Sequence, residues 1–319
     1  MKRILALFVL AALSTGQAVA QEWPSQPVSI MVGFGPGSTP DLVSRVVAEH
    51  LRKKLGQPFL VINRPGAGGN IGLESVAKAA PDGYTIGTTI PGPIIVNPMT
   101  MKMSFDVKKE IRPVTILATQ PSVLVVTSKL GVDNLKDLIA LLKANPGKYN
   151  YSSIGVGSIS HLAMELVAQR SGTQIQHIPY KSSPDAMAAI LAGETHMATL
   201  APNAVVGQAE AGTLKMIAVS TPKRWPALPQ VPTFAEQGIE GVQAEAWMAL
   251  VAPARTPDAV IDRLYKEVKA ALESAEVKEQ MTKFGFEPVG ISPAEFAKRI
   301  EEEEKRWSKV VDAVGLRAK

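Results

Sequence analysis

The sequence predicts an α/β chain of two lobes joined by two crossing strands, with a ligand cleft between them. Three observations carry this. Short apolar strands alternate with amphipathic helices, the pattern of mostly parallel sheets. The alternation runs from residue 28 to 89, stops at a long apolar stretch over 114–126, and starts again near 135. Strands also enter helices repeatedly through glycine-rich loops, and the carboxyl ends of parallel strands are where α/β proteins hold small ligands.

Residues 1–20 read as a secretory signal outside the fold. Lys2 and Arg3 precede an apolar run over 4–13, and Ala18-Val19-Ala20 is a small-x-small site with cleavage expected after Ala20. The apolar run is too short for a stable membrane span, and no later run reaches spanning length. Loss of Lys2 and Arg3 lowers the formal charge from +5 to +3. That is a mild bias toward anions, without the basic stripe of a nucleic-acid binder. The absence of cysteine excludes disulfides, thiolate metal sites, a lipoprotein anchor and a cysteine nucleophile. At 5% aromatic residues the chain is also a poor sugar-stacking lectin.

In the first lobe, residues 28–34 read as a strand, 40–55 as a helix closed by Gly56, and 58–62 as a second strand. A helix over 71–80 ends at Pro81-Asp82-Gly83, and 84–89 is a third strand. The stretch 114–126, interrupted at Gln120-Pro121, is a candidate crossing between lobes. In the second lobe, helices at 135–144, 160–171, 184–192 and 203–211 alternate with strands at 149–154, 175–180, 196–201 and 214–220. Residues 246–252 are the candidate return crossing, and helices follow at 257–272, 277–284 and 293–314. The last carries Glu301 to Glu304 before Lys305-Arg306, read as a solvated face. The expected lobes are 21–120 with 250–319, and 121–249.

Three loops invite chemistry. The first, from Gly33 to Asp41, joins a strand to a helix whose N-terminal amides lack internal partners and whose dipole favours an anion. It fails as a dinucleotide fingerprint, because Ser38 stands where a third glycine belongs and Asn63 where a ribose-binding acid belongs. Thr39 suits an N-cap, Pro40 the first helical position, and Asp41 the first turn. The second loop, Asn63 to Gly72, lacks the Lys-Ser/Thr ending of a P-loop, and its glycines serve either tight packing or ligand contact. The third, Ser152 to Ser160, lies in the second lobe, where two facing loops would clamp one anion and couple binding to closure.

Catalysis finds little support. His161 and Glu165 share a helix face without a third metal ligand, and no nucleophile elbow accompanies Ser158 or Ser160. His50, His177 and His196 read as structural. Lys181 is a loop cation at a strand end, placed either to meet an anion or to be solvated. Trp247, on the return crossing, either reports closure or packs the hinge.

With these loops laid out, the chain resembles the Bug family of extracytoplasmic receptors of tripartite tricarboxylate transporters. The carriers are NRPGAGGNIG at 63–72, APDGYT at 80–85, YNYSSIGVGSISHLAME at 149–165, IPYKS at 178–182, KRWPALPQVPTFAEQG at 223–238 and APARTP at 252–257. They occur in order across nearly the whole chain. The resemblance implies a type II periplasmic-binding-protein fold, periplasmic location, no cofactor or metal, and a monomer that closes on a small organic anion for membrane permease subunits. The implied ligand set is Phe34, Gly35, Pro36, Gly37, Ser38, Thr39 and Asp41, Ala67 and Gly68, Ile90 and Pro91. Across the cleft it is Gly155, Val156, Gly157, Ser158 and His161, Tyr180 and Lys181, Ala201, Pro202 and Asn203. Relatives usually carry Gly-Gly where this chain has Gly37-Ser38, and many carry Asp-Asn where it has Leu200-Ala201. Loss of that acid disfavours an amino acid and favours a plain mono- or dicarboxylate, with an apolar or aromatic body as one form. A sensor presenting its closed form to a membrane partner, and an exported hydrolase or lyase, are the alternatives.

Overall fold

The computed structural model describes residues 23–180 and 182–318. The signal sequence and Lys181 lie outside the described residues. The first unit runs β1 (Val28–Val32), α1 (Thr39–Leu55), β2 (Phe59–Asn63), α2 (Asn70–Ala77) and β3 (Thr85–Thr89). A π-helical turn at Gly92–Val96 continues into α3 (Asn97–Thr100), and α4 (Val107–Glu110) precedes β4 (Ile111–Gln120). After β5 (Val123–Thr127) and α5 (Leu135–Ala144), the second unit runs β6 (Asn150–Ser153), α6 (Ile159–Ser171), β7 (Gln176–Pro179), α7 (Ser183–Ala192) and β8 (Met197–Leu200). Then come α8 (Pro202–Glu210), β9 (Leu214–Val219), β10 (Ala246–Pro253), α9 (Asp258–Glu273), α10 (Ala275–Lys283), β11 (Glu287–Pro288) and α11 (Pro293–Ala313).

The strands form two sheets, one ordered β11-β4-β10-β3-β1-β2 and the other β7-β6-β8-β5-β9. In each, a central strand is flanked by parallel neighbours: β1 by β2 and β3, β6 by β7 and β8. An antiparallel strand then adjoins the third of these, β10 on β3 and β5 on β8. The two lobes are thus built alike, and each reverses its strand order beside β1 or β6. Such a switch point opens a crevice at the carboxyl ends of the strands. The loops after β1 and β3, and after β6 and β8, therefore border these crevices.

The apolar stretch read as one crossing is two strands in different sheets, separated by Pro121 and Ser122. Proline lacks the N–H a ladder needs, so pairing stops there. Ser122 N donates to Ser220 Oγ at 2.9 Å, and Ser122 Oγ donates to the Ala244 carbonyl at 2.9 Å, tying both connections together. The last helix spans both lobes. Trp307, Val310 and Val311 of α11 share a core with Leu162, Met164 and Leu166 of α6 and with Ile94 and Ile95 of the π-turn. Each such fully buried side chain contributes about 1.5–3 kcal/mol. The acidic run on α11 is not wholly solvated: Glu303 is 4% exposed. Its Oε1 accepts from Trp247 Nε1 at 3.0 Å and Arg299 Nε at 2.9 Å, because a buried carboxylate requires donors. The short α3, α4 and β11 have too few residues to show a period and are absent from the sequence reading.

Candidate functional site

The loops after β1 and β6 follow one plan. Ser38 N donates to Gly35 O and Ser158 N to Gly155 O, both at 3.2 Å. Leu42 N donates to Ser38 O and Leu162 N to Ser158 O, both at 2.9 Å. Gly37 and Gly157 take left-handed φ values of 78° and 76°, and the N-caps Ser38 and Ser158 are both extended with ψ 158°. In each loop the amide of that glycine donates to the side chain four residues on: Gly37 N to Asp41 Oδ2 at 2.9 Å, and Gly157 N to His161 Nδ1 at 3.0 Å. Within α1 the amides of Thr39 and Asp41 have no carbonyl to reach, and Pro40 has no N–H. Within α6 the corresponding open amides belong to Ile159 and Ser160. Each jaw thus aims two free donors and a positive helix end at its strand-end crevice.

In the first jaw the Asp41 carboxylate is 1% exposed. It accepts Gly37 N, Arg45 Nε at 3.0 Å and Asn63 Nδ2 at 2.9 Å, and Arg45 Nη2 lies 2.9 Å from Oδ1. Burial pushes its pKa up, but the Arg45, Gly37 and Asn63 hydrogen bonds outweigh that and hold it below the usual aspartate value. Asp41 therefore shapes the loop with its oxygens already taken. Asn63 also donates to the Phe34 carbonyl at 2.9 Å, so the residue at the ribose-acid position braces the loop from β2. Ser38 Oγ is buried without a hydrogen-bond partner among the described residues, whereas Ser158 Oγ donates to Gly155 O at 2.6 Å.

The second glycine loop packs against the first. A Cβ on Gly33 would lie 2.4 Å from Gly69 O, and one on Gly72 would lie 2.4 Å from Gly33 Cα, so only glycines permit this approach of backbones. Ala67 takes a left-handed φ of 47°, the one non-glycine among the described residues to do so, and it is exposed beside Gly68. Backbone held in this region is strained and gathers at ligand sites. Asn97 donates to Asn70 Oδ1 at 2.7 Å and braces this loop from α3. Ile90 and Pro91 follow β3 at the same sheet edge, Ile90 half-buried and Pro91 buried.

In the second jaw His161 is 4% exposed and stacks on His177 with ring centroids 3.9 Å apart. Tyr151 stacks on His177 in turn at 4.9 Å, and its hydroxyl donates to Glu165 Oε1 at 2.5 Å. Burial, then the neighbouring His177, pushes His161 down to about 4, and burial lowers His177 as well. His161 Nε2 lies 3.9 Å from Glu165 Oε1, too far for a hydrogen bond. Val96 of the first lobe lies against this loop, its Cγ1 3.9 Å from where a Cβ on Gly157 would stand. Tyr180 lies beside Gly155 through its backbone, while its hydroxyl donates to Glu194 at 3.1 Å. Ala201 is the N-cap of α8 without a capping side chain, Pro202 is buried after it and Asn203 is exposed.

Sequence reasoning missed His177, Asn97 and the bracing role of Asn63. The repeated Gly-x-Gly-Ser at 35–38 and 155–158 was the available signal of a common plan. No group of three or more His, Asp or Glu side chains among the described residues is arranged to hold a metal ion. Two outer grooves, about 370 Å³ between α1 and α10 and about 440 Å³ between α6 and α11, do not gather the strand-end loops.

Residues 43–316 match the model of the tripartite tricarboxylate transporter family receptor. BugT of Bordetella pertussis is 35% identical over 318 residues, 99% of this chain and 98% of its own. Among solved structures, R. palustris Rpa4515 with adipate superposes with a TM-score of 0.81 at 34% identity, covering 92% of this chain and 99% of that one. The periplasmic binding protein BugD gives a TM-score of 0.77 at 28% identity, covering 93% and 100%.

Proposed function

Because the chain belongs to the tripartite tricarboxylate transporter receptor family, whose members are periplasmic solute-binding proteins, we propose that it captures a small organic carboxylate between its lobes and delivers it to membrane subunits of such a transporter. The observation that carries this is the pair of like-built loops at the switch points of both sheets. Open amides of Thr39 and Asp41 on one side and of Ile159 and Ser160 on the other converge on a carboxylate, directly or through bridging water. The unpartnered Ser38 hydroxyl adds a donor to the first jaw. Residues 67–68, 90–91, 180 and 201–203 surround the rest of the ligand. The lobes that close are residues 21–120 with 250–319, and 121–249, and contacts made to both drive closure. Export follows cleavage after Ala20.

The body of the ligand is apolar. Leu200 and Ala201 bring no charge to the end of β8, and Ile154 and Val156 are 41% and 60% exposed on the second jaw. The adipate held by Rpa4515, two carboxylates on an aliphatic chain, fits this description. A thermal-shift and calorimetric panel of adipate, succinate, malate, benzoate, aspartate and glutamate tests the reading. A ligand at 100 times its Kd stabilises the folded state by about 2.7 kcal/mol. Adipate or benzoate should raise the melting temperature and be recovered unchanged. Tight binding of aspartate alone would overturn the apolar body, turnover would overturn the receptor, and a panel without a binder would overturn the carboxylate.

A further inference from the structure

We infer that His161 is the positioning residue of the second jaw, doing for Gly157 what Asp41 does for Gly37. The inference rests on reading residues 155–161 as a ligand loop. In each jaw a left-handed glycine is held by a side chain from the first turn of the following helix. Release of Gly157 would let the turn rotate and carry the N-cap Ser158 with it, and the Ile159 and Ser160 amides would lose their aim.

The two pins differ in kind. Asp41 offers two oxygens and is itself clamped by Arg45 and Asn63. His161 offers one acceptor, Nδ1, and the bond from Gly157 requires that atom to be unprotonated, which places the ring proton on Nε2. The groups facing the ring are Glu165 on its own helix, Tyr151 on β6 and His177 on β7. His177 Nε2 lies 2.6 Å from Ser153 Oγ, which accepts from Gly155 N at 3.1 Å. The stacked imidazoles therefore hold both glycines of the turn, one directly and one through a serine. Burial of both rings, and for His161 also the neighbouring His177, disfavours a proton and so preserves the Nδ1 lone pair.

Two variants separate the lone pair from the ring. His161→Asn sets Oδ1 where Nδ1 stands and removes the stack; His161→Phe keeps a ring on His177 and removes the acceptor. In protein labelled with 15N-glycine, exchange of the Gly157 amide is followed with the Gly37 amide as internal reference. Gly157 should be protected in the wild type and in His161→Asn, and exchange about tenfold faster in His161→Phe, with Gly37 unchanged throughout. As the pH is lowered from 7 through about 4, corrected for intrinsic rates, the wild type should keep Gly157 protection until the pH nears 4 and lose it below, and His161→Asn should keep it throughout. Adipate affinity should follow the same order. Protection kept by Phe and lost by Asn would reduce His161 to a packing residue and overturn the inference. Should wild-type exchange behave as stated while no carboxylate binds, the receptor reading fails and the pin stands.

Discussion

Gly72→Ala sets helix propensity against sterics inside the first lobe. Gly72 is the third residue of α2, where alanine is favoured over glycine by about 1 kcal/mol. A Cβ there would lie 2.4 Å from Gly33 Cα, 2.6 Å from Gly33 N and 3.1 Å from Val32 C. Carbon atoms rest at about 3.5–4.0 Å, so α2 must move away from β1 by about 1 Å. Gly33 cannot yield, since its other side faces Gly69 O, and all the opposing atoms are backbone. Overpacking costs about 1–3 kcal/mol, and the upper end applies where no side chain can rotate away. The net expectation is a loss of about 2 kcal/mol. Urea unfolding reads it as a lower midpoint at unchanged slope. Gly35→Ala is the control, because a Cβ there meets nothing within 4 Å, and it should fall within about 0.5 kcal/mol of wild type. A Gly72→Ala protein as stable as wild type would refute the close-approach argument for the second glycine loop.

Two further outcomes follow from buried charge. His161 is pushed from 6.5 to about 4 by burial and by His177, so the unfolded chain binds the proton more tightly than the folded one. Stability from the neutral ring is therefore full above pH 6.5 and falls by about 3 kcal/mol as the pH drops toward 4. His177, shifted the same way, adds to the fall; melts across this window should show the loss, and His161→Asn should flatten it. At the hinge, Glu303→Ala strips Arg299 and the Trp247 indole of a shared acceptor and should cost about 3 kcal/mol, while Glu303→Gln, which keeps an oxygen for the indole, costs about half. A loss below about 1 kcal/mol for the alanine variant would mean that water replaces the carboxylate there.

The fold was legible where it depends on period and punctuation. Alternation marked both units, and glycine loops marked the ends of β1, β2 and β6. What the sequence did not show shares a cause, since each feature depends on a partner distant in the chain. Glu303 sits in a charge run beside the exposed Glu301, Glu302 and Lys305, and besides Arg299 on its own helix it accepts from Trp247, 56 residues away, a partner that no local pattern announces. His177 lies on an edge strand of unremarkable pattern, and its stack with His161 arises because β7 pairs beside β6. The break between β4 and β5 was visible as Gln120-Pro121, but the exchange of sheets across it needed the pairing itself.

The chemistry of the two pins bears on how an anion could be held at all. A carboxylate beside an anion site is a liability unless its charge is cancelled, and Asp41 meets that condition through Arg45, whose guanidinium reaches both of its oxygens. Opposite it, His161 is neutral while its proton stays off Nδ1. Neither pin therefore presents net charge, and on the receptor reading the attraction comes from amides and helix ends, whose fields fade within one turn. A grip of that range senses only the head of a ligand. On the same reading it would accept any compact carboxylate and leave discrimination to what lies behind, at the ends of β3 and β8. There Ile90, Pro91, Leu200 and Ala201 carry no charge, so a second polar group on the ligand would have to remain hydrated or find backbone. Selectivity in this chain should accordingly follow the length and apolar surface of the ligand body more steeply than the number of its charges.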